Sequence, residues 1–196
     1  MVATKRQMQK ESTRKRIMEA AYAVYSKHGF SAATSLIASE AGVAHGSVFL
    51  HFPTQGDLLA SLMAEFENTI CSRFQELAGL EGSVEMLLDS HIGILSDYED
   101  FYTISVVDMF SLPKKARESF YNLHACFSSH FNRVASREIE NGVLKKLPVG
   151  ILANAWTGLL HYYLQNKDVF APEGGSVLKR YEKQLIFTYC EMMRRQ

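Results

Sequence analysis

Cysteine is scarce in this 196-residue chain, and the three present, Cys71, Cys126 and Cys190, are widely spaced with no CxxC pair. That argues against a disulfide framework and a structural zinc site, and the residues read as reduced thiols. No stretch approaches the roughly 20 uninterrupted apolar residues that cross a bilayer, so no membrane partner is expected. The opening MVATKRQMQKESTRKR has no apolar run of signal-peptide type, which leads us to expect a cytoplasmic protein. Alternation of apolar and polar residues of the kind that builds strand pairs is also missing, as are internal repeats and low-complexity segments. The histidines and carboxylates show no HxxxH or ExxH spacing, and no nucleophile has an evident base. Neither a metal, a cofactor nor an enzyme activity is therefore expected.

Net charge is absent as well, with 21 Lys+Arg against 21 Asp+Glu, but that balance is an average over two unlike parts. Residues 1–56 hold seven basic and three acidic side chains, and the remainder holds 14 and 18. A basic end on an acidic body suits a protein that meets a polyanion at one end. A solvated, charged helix start would give the same count.

What is present is helical periodicity on a 47% apolar background, enough for an ordinary core. Ile17, Ala20, Ala21, Val24 and Tyr25 form one stripe, which Gly29 ends with Phe30 placed to fold back on the last turn. Two very short helices follow, Ser35 to Ala41 and Ala44 to His51, separated by Gly42-Val43. Helices this short do not persist alone and must be held by their neighbours. Pro53 closes the second, and Thr54 with Asp57 resembles a capping box opening a longer helix whose stripe runs from Leu58 to Leu77. Breaks near Gly79 to Gly82, Asp97 to Asp100, Leu112-Pro113, Asn141 to Pro148 and Asn166 to Gly175 delimit further helices over 83–97, 100–111, 114–141, 148–166 and 176–194. The expected fold is all-α.

The segment from Thr34 to Phe52 has the grammar of a helix-turn-helix, whose second helix fits the major groove of B-DNA. The strings RKRIMEAAYAVYSKHGF, IASEAGVAHGSVFLHF and PTQGDLL resemble the TetR family of bacterial transcriptional regulators between about Arg14 and Leu59. The resemblance implies a three-helix DNA-binding domain over 1–56 and a larger helical effector-binding and dimerisation domain over 57–196. It further implies a homodimer on a palindromic double-stranded operator, usually a repressor released by a small molecule, here expected to be apolar or aromatic. Carried over by position, Thr34 and Ser35 would meet a phosphate, and His45, Gly46 and Ser47 would enter the groove. Arg14, Phe49, His51 and Gln55 complete the expected DNA-binding set. Phe49 lacks the hydroxyl and Gln55 the charge common in the family, and Ala44 stands where a capping serine is frequent. The recognition helix has no Arg, Lys, Asn or Gln, so bidentate base reading cannot come from it. Lys5 to Arg16 would supply most of the phosphate charge.

In the body, aromatic residues at helical spacing read either as core or as the wall of an apolar ligand cavity. The candidate effector-binding set is Phe66, His91, Tyr98, Tyr102, Phe110, His124, Phe127 and Trp156. Helix 148–166 is apolar on two sides: one stripe contains Val149, Leu152, Ala153, Trp156, Leu160 and Tyr163, the other Ile151, Ala155, Leu159 and Tyr162. By resemblance, this helix and the last form the dimer seam, with Val149, Leu152, Ala153, Leu160, Tyr163, Leu185, Tyr189 and Met192 as candidates. A buried hairpin inside one protomer would give the same pattern. Two other readings stay open: a DNA-binding regulator that takes no ligand, and a thiol redox sensor using Cys126.

Overall fold

The computed structural model describes residues 4–77 and 82–195, with the side chain of Leu77 outside the described set. The break expected near Gly79 to Gly82 falls largely outside it too. Helix α1 spans Lys5–His28. Thr4 caps it, with Oγ1 accepting from the Gln7 N–H at 3.3 Å while the Thr4 N–H donates to Gln7 Oε1 at 2.8 Å. The basic segment is therefore the exposed first turns of a helix. Gly29, at φ 77°, ends α1 by donating its N–H to the Tyr25 carbonyl at 2.9 Å, and Phe30 packs edge-on against Tyr25.

Helices α2 (Thr34–Glu40) and α3 (His45–His51) begin at Ala33 and Ala44, and neither has a side-chain cap. What holds them is packing: Ile37, Ala38 and Val48 are buried beside the α1 stripe. A brace from outside the motif adds to this, since Arg16 donates to the carbonyls of Ala41 and Gly42 in the turn. Helix α4 (Gln55–Leu77) opens on the expected box, with the Thr54 N–H donating to Asp57 Oδ2 and the Asp57 N–H to Thr54 Oγ1, both at 3.1 Å.

The body contains α5 (Val84–Ser96), α6 (Glu99–Val107), α7 (Lys114–Glu140), α8 (Val149–Gln165), the single turn α9 (Lys167–Phe170) and α10 (Val177–Met193). Two details differ from the periodicity. Helix α6 stops at Val107 instead of continuing to 111, where a 3-10 turn over Met109–Ser111 takes over, and α9 forms inside what reads as a loop. Aromatic packing explains α9, because Phe170 stacks on Tyr163 at 4.2 Å. No strand occurs among the described residues; one antiparallel bridge joins Leu144 to Arg194.

Helix α4 packs chiefly on α7, α10 on α5, and α8 on α7. The basic N-terminal helices share a core with this body. Tyr22 of α1 stacks on Phe101 of α6 at 4.8 Å, Phe30 meets the same ring at 5.7 Å, and Asp108 accepts from the Phe30 N–H at 3.3 Å. A second tie between distant parts is Glu99, only 5% exposed, whose carboxylate accepts from the N–H groups of Val177 and Leu178 at 2.8 and 3.1 Å and so anchors the start of α10.

Candidate functional site

Helices α2 and α3 with their turn present a compact exposed surface. Thr34 Oγ1 and His45 Nε2 lie 3.0 Å apart, so the two helix starts, separated by 11 positions in sequence, are hydrogen-bonded. His45 and Gly46 are exposed and Ser47 half-buried, while Ser35 is exposed on α2. A Cβ built on Gly46 would meet no atom within 4 Å, so nothing inside the protein requires glycine there. Phe49, 41% exposed, packs edge-on against His45, and Leu50 is 80% exposed, whereas Val48 is buried. His51 is held below the ordinary imidazole range by burial and by the nearby charges of Lys10 and Arg14.

Two residues of the expected DNA-binding set are engaged within the protein. The Gln55 amide turns inward, donating to the carbonyls of Phe30 and Ala32, both at 3.1 Å, and so ties the start of α4 to the loop after α1. Arg14 lies 4.1 Å above the Phe52 ring and donates to the His51 carbonyl at 3.2 Å and to Ser61 Oγ at 3.3 Å. It clamps the end of the recognition helix to α1 and α4. Arg14→Ala is expected to lower stability by about 1–2 kcal/mol in urea unfolding, from the lost ring contact and hydrogen bonds. Arg14→Lys should not restore it, because an ammonium cannot reproduce the planar fork. Among the described residues, the cations left without an ion pair on the exposed start of α1 are Lys5, Arg6 and Lys10; Lys15 pairs with Glu19 at 3.6 Å.

The effector-binding candidates divide into three groups. His91, Tyr102, His124, Phe127 and Trp156 meet in the interior of the body. Trp156 Nε1 donates to His91 Nδ1 at 3.0 Å, and the His91 ring stacks on Phe127 at 3.9 Å. The Tyr102 hydroxyl sits 3.2 Å from His124 Nε2 and 2.8 Å from His161 Nε2. A hydroxyl has one proton, so it donates to one imidazole and accepts from the N–H of the other, and the two rings are opposite tautomers. Burial holds His124 and His161 down at about 4, keeps His91 well below the ordinary range, and raises the Tyr102 phenol. These groups are neutral at physiological pH. Phe66 and Tyr98 line a groove between α1 and α4, with the buried Phe66 ring also 6.4 Å from Tyr102. Phe110 joins neither group: it is 80% exposed on the 3-10 turn, where α6 has already ended.

Of the dimer-seam candidates, Ala153, Leu160, Leu185 and Tyr189 are buried inside the protomer, and Tyr189 donates to the Leu152 carbonyl. Val149, Leu152 and Tyr163 are half-buried, and Met192 is 66% exposed. The outward side of α8 is its other stripe, with Ile151 and Tyr162 exposed; Phe187 is exposed on α10. Cys126 lies beside Cys71 across the α4–α7 contact, and burial together with Cys126 pushes the Cys71 thiol up to about 12. The pair is free, as is buried Cys190. Such a protonated thiol is a poor nucleophile. No group of three or more metal-ligating side chains occurs among the described residues.

A helix-turn-helix head joined by a long helix to an all-helical body defines a helical DNA-binding regulator. Residues 17–62 match the family described as bacterial regulatory proteins, tetR family. The chain is 25% identical over 175 residues to the HTH-type transcriptional regulator SrpR of Pseudomonas putida, covering 85% of this chain and 82% of that protein. Its fold is similar to the transcriptional regulator FadR from Bacillus subtilis in complex with stearoyl-CoA, with a TM-score of 0.73 and 17% identity over 92% of this chain and 99% of that one. It is also similar to the TetR family transcriptional regulator PfmR from Thermus thermophilus, with a TM-score of 0.71 and 16% identity over 88% and 97% of the two chains. Among the described residues no helix is long and apolar enough to cross a membrane.

Proposed function

We propose that the protein is a homodimeric, ligand-responsive regulator, of repressor type, that binds a palindromic operator through residues 1–56 and receives its effector and its partner through residues 57–196. The observation that carries the DNA reading is the recognition surface itself. His45, Gly46 and Ser47 lie on one exposed helix, with Lys5, Arg6 and Lys10 at the start of the neighbouring α1 in no ion pair among the described residues and no internal reason for Gly46. Backbone charge then supplies affinity, while His45, Ser47 and the exposed apolar Phe49 and Leu50 read base edges and thymine methyls weakly. The solved relative FadR holds stearoyl-CoA, which supports a ligand-taking body without identifying this chain's effector. Selection from random duplex DNA is the direct test. Enrichment of an inverted repeat is the expected result, and failure to enrich any sequence at low salt would refute the reading.

For the seam, the exposed apolar side chains support a contact built on Ile151, Ala155 and Tyr162 of α8 with Phe187 and Met192 of α10. An isologous contact there matches a palindromic site. Tyr162→Asp places a carboxylate in that contact and is expected to give a monomer in analytical ultracentrifugation with the fold intact by circular dichroism. A wild-type protein that sediments as a single chain at micromolar concentration would remove the dimer.

An effector acts on such a protein only through its different affinities for two arrangements of head and body. Helix α4, capped at Thr54 and Asp57 and packed on α7, is the element through which the two would communicate.

A further inference from the structure

The joint between α1 and the body contains two hollows that share a wall. One, of about 350 Å³, lies between α1 and α4 and is lined by Met18, Leu62, Phe66, Glu19 and Glu65. The other, of about 410 Å³, lies against the α5–α6 corner and the start of α10, with Ser26, Ser96, Asp97, Asp100 and Lys167 in its lining. Tyr22 and Tyr98 line both. They form one crevice with aromatic rings at its centre and carboxylates around them.

The chemistry of the walls is one-sided. Tyr22 has its ring stacked on Phe101, and Tyr98 meets Phe66 edge-on at 5.8 Å, so each ring is fixed before any ligand arrives. Asp97 pairs with Arg73 at 2.7 Å, the same guanidinium lying 5.9 Å from the Tyr98 ring, and Asp100 pairs with Lys167 at 2.7 Å. Glu65 has no cationic partner among the described residues, and Glu19 has only the exposed Lys15. The carboxylates outnumber the cations that answer them. The Ser96 hydroxyl is buried in the second hollow with no hydrogen-bond partner. Buried hydroxyls left unpaired are costly, and a ligand or water that reaches them recovers that cost. Burial and the charges of Tyr98 and Asp100 push the Tyr22 phenol up to about 12, as expected in an electronegative setting.

We propose that this crevice is a binding site for a small organic cation with an apolar or aromatic body, its charge held over Tyr22 and Tyr98 and beside Glu65. Fixed aromatic faces attract cations, and a diffuse ammonium loses little hydration on entering such a site. Anions are repelled there, and neutral apolar molecules gain nothing from the carboxylates. The aromatic interior around His91 and Trp156, in contrast, has its polar groups already bonded to one another. An occupant of the crevice would touch α1 of the head and α4 and α6 of the body together. The inference rests on the regulator reading above and refines its effector class.

The probe is benzyltrimethylammonium, titrated calorimetrically into the full chain alongside its neutral carbon isostere and benzoate. Saturable binding of the cation alone, one per chain, is the expected result. Glu65→Gln and Tyr22→Leu should each weaken it about tenfold, with Tyr22→Phe retaining most of the affinity because the ring remains. Glu65 is exposed, so Glu65→Gln tests the site even if Tyr22→Leu fails to fold. Equal binding of cation and isostere, no binding of any probe, or cation binding unchanged by Glu65→Gln would overturn the proposal. Duplex binding measured on the same protein without probe separates the two readings. Sequence-selective binding alongside a silent crevice would fail only this inference, whereas no duplex preference would fail the regulator reading itself.

Discussion

Lowering the pH from 7.5 to 5 is expected to destabilise the protein by about 4 kcal/mol through two histidines, read as a fall in the urea midpoint. His124 and His161 flank the Tyr102 hydroxyl in the body interior and are held at about 4 by burial, with His161 adding to the depression at His124. In the unfolded chain the same side chains return to about 6.5. Between those values the unfolded state binds more protons, so stability is complete above about pH 6.5 and declines as the pH falls towards 4. At pH 5 the difference amounts to about 2 kcal/mol per group. His91, depressed in the same direction, adds to the loss. Replacing His124 and His161 with leucine should flatten the profile even though Tyr102 then loses its partners. An unchanged midpoint between pH 7.5 and 5 would show that these rings are not buried as neutral groups.

The second large effect concerns DNA. Binding to a selected duplex is expected to weaken about a thousandfold between 50 and 200 mM salt. Lys5, Arg6 and Lys10 project from the first turns of α1 with no ion pair among the described residues, and a dimer brings both sets of these charges to the phosphates. Each phosphate neutralised contributes about 0.9 to the slope of log K against log salt. Changing the three residues to alanine should therefore flatten the slope by about 5 and lower affinity most at low salt. Because the three are exposed, the fold should be indifferent. A slope that ignores the triple substitution would mean that the start of α1 does not reach the backbone.

Local signals were legible wherever their cause lies within a few residues. Thr4 followed by Gln7, and Thr54 followed by Asp57, are caps written in sequence, as is the Gly29 stop. The first of these is the signal that would have revealed the basic segment as helix. The internal roles of Gln55 and Arg14 had no such signal. Each bonds to groups 23 or more positions away along the chain, at Phe30, Ala32, His51 and Ser61, which only folding brings near. Helix α9 likewise depends on Phe170 finding Tyr163 and on Lys167 finding Asp100.

Periodicity alone determined that the chain is helical, that two short helices follow the Ile17 to Tyr25 stripe, and that α8 is apolar on two sides. It could not say which side of α8 faces inward, because both stripes satisfy the same spacing. Packing decided it: Ala153, Trp156 and Leu160 fill the protomer's core, leaving Ile151 and Tyr162 exposed. The aromatic candidates divided for the same reason. Burial and hydrogen-bond satisfaction are properties of three-dimensional neighbourhoods, so only the tertiary structure could join His91 to Trp156, enclose Tyr102 between two imidazoles, and open a crevice at Tyr22 and Tyr98.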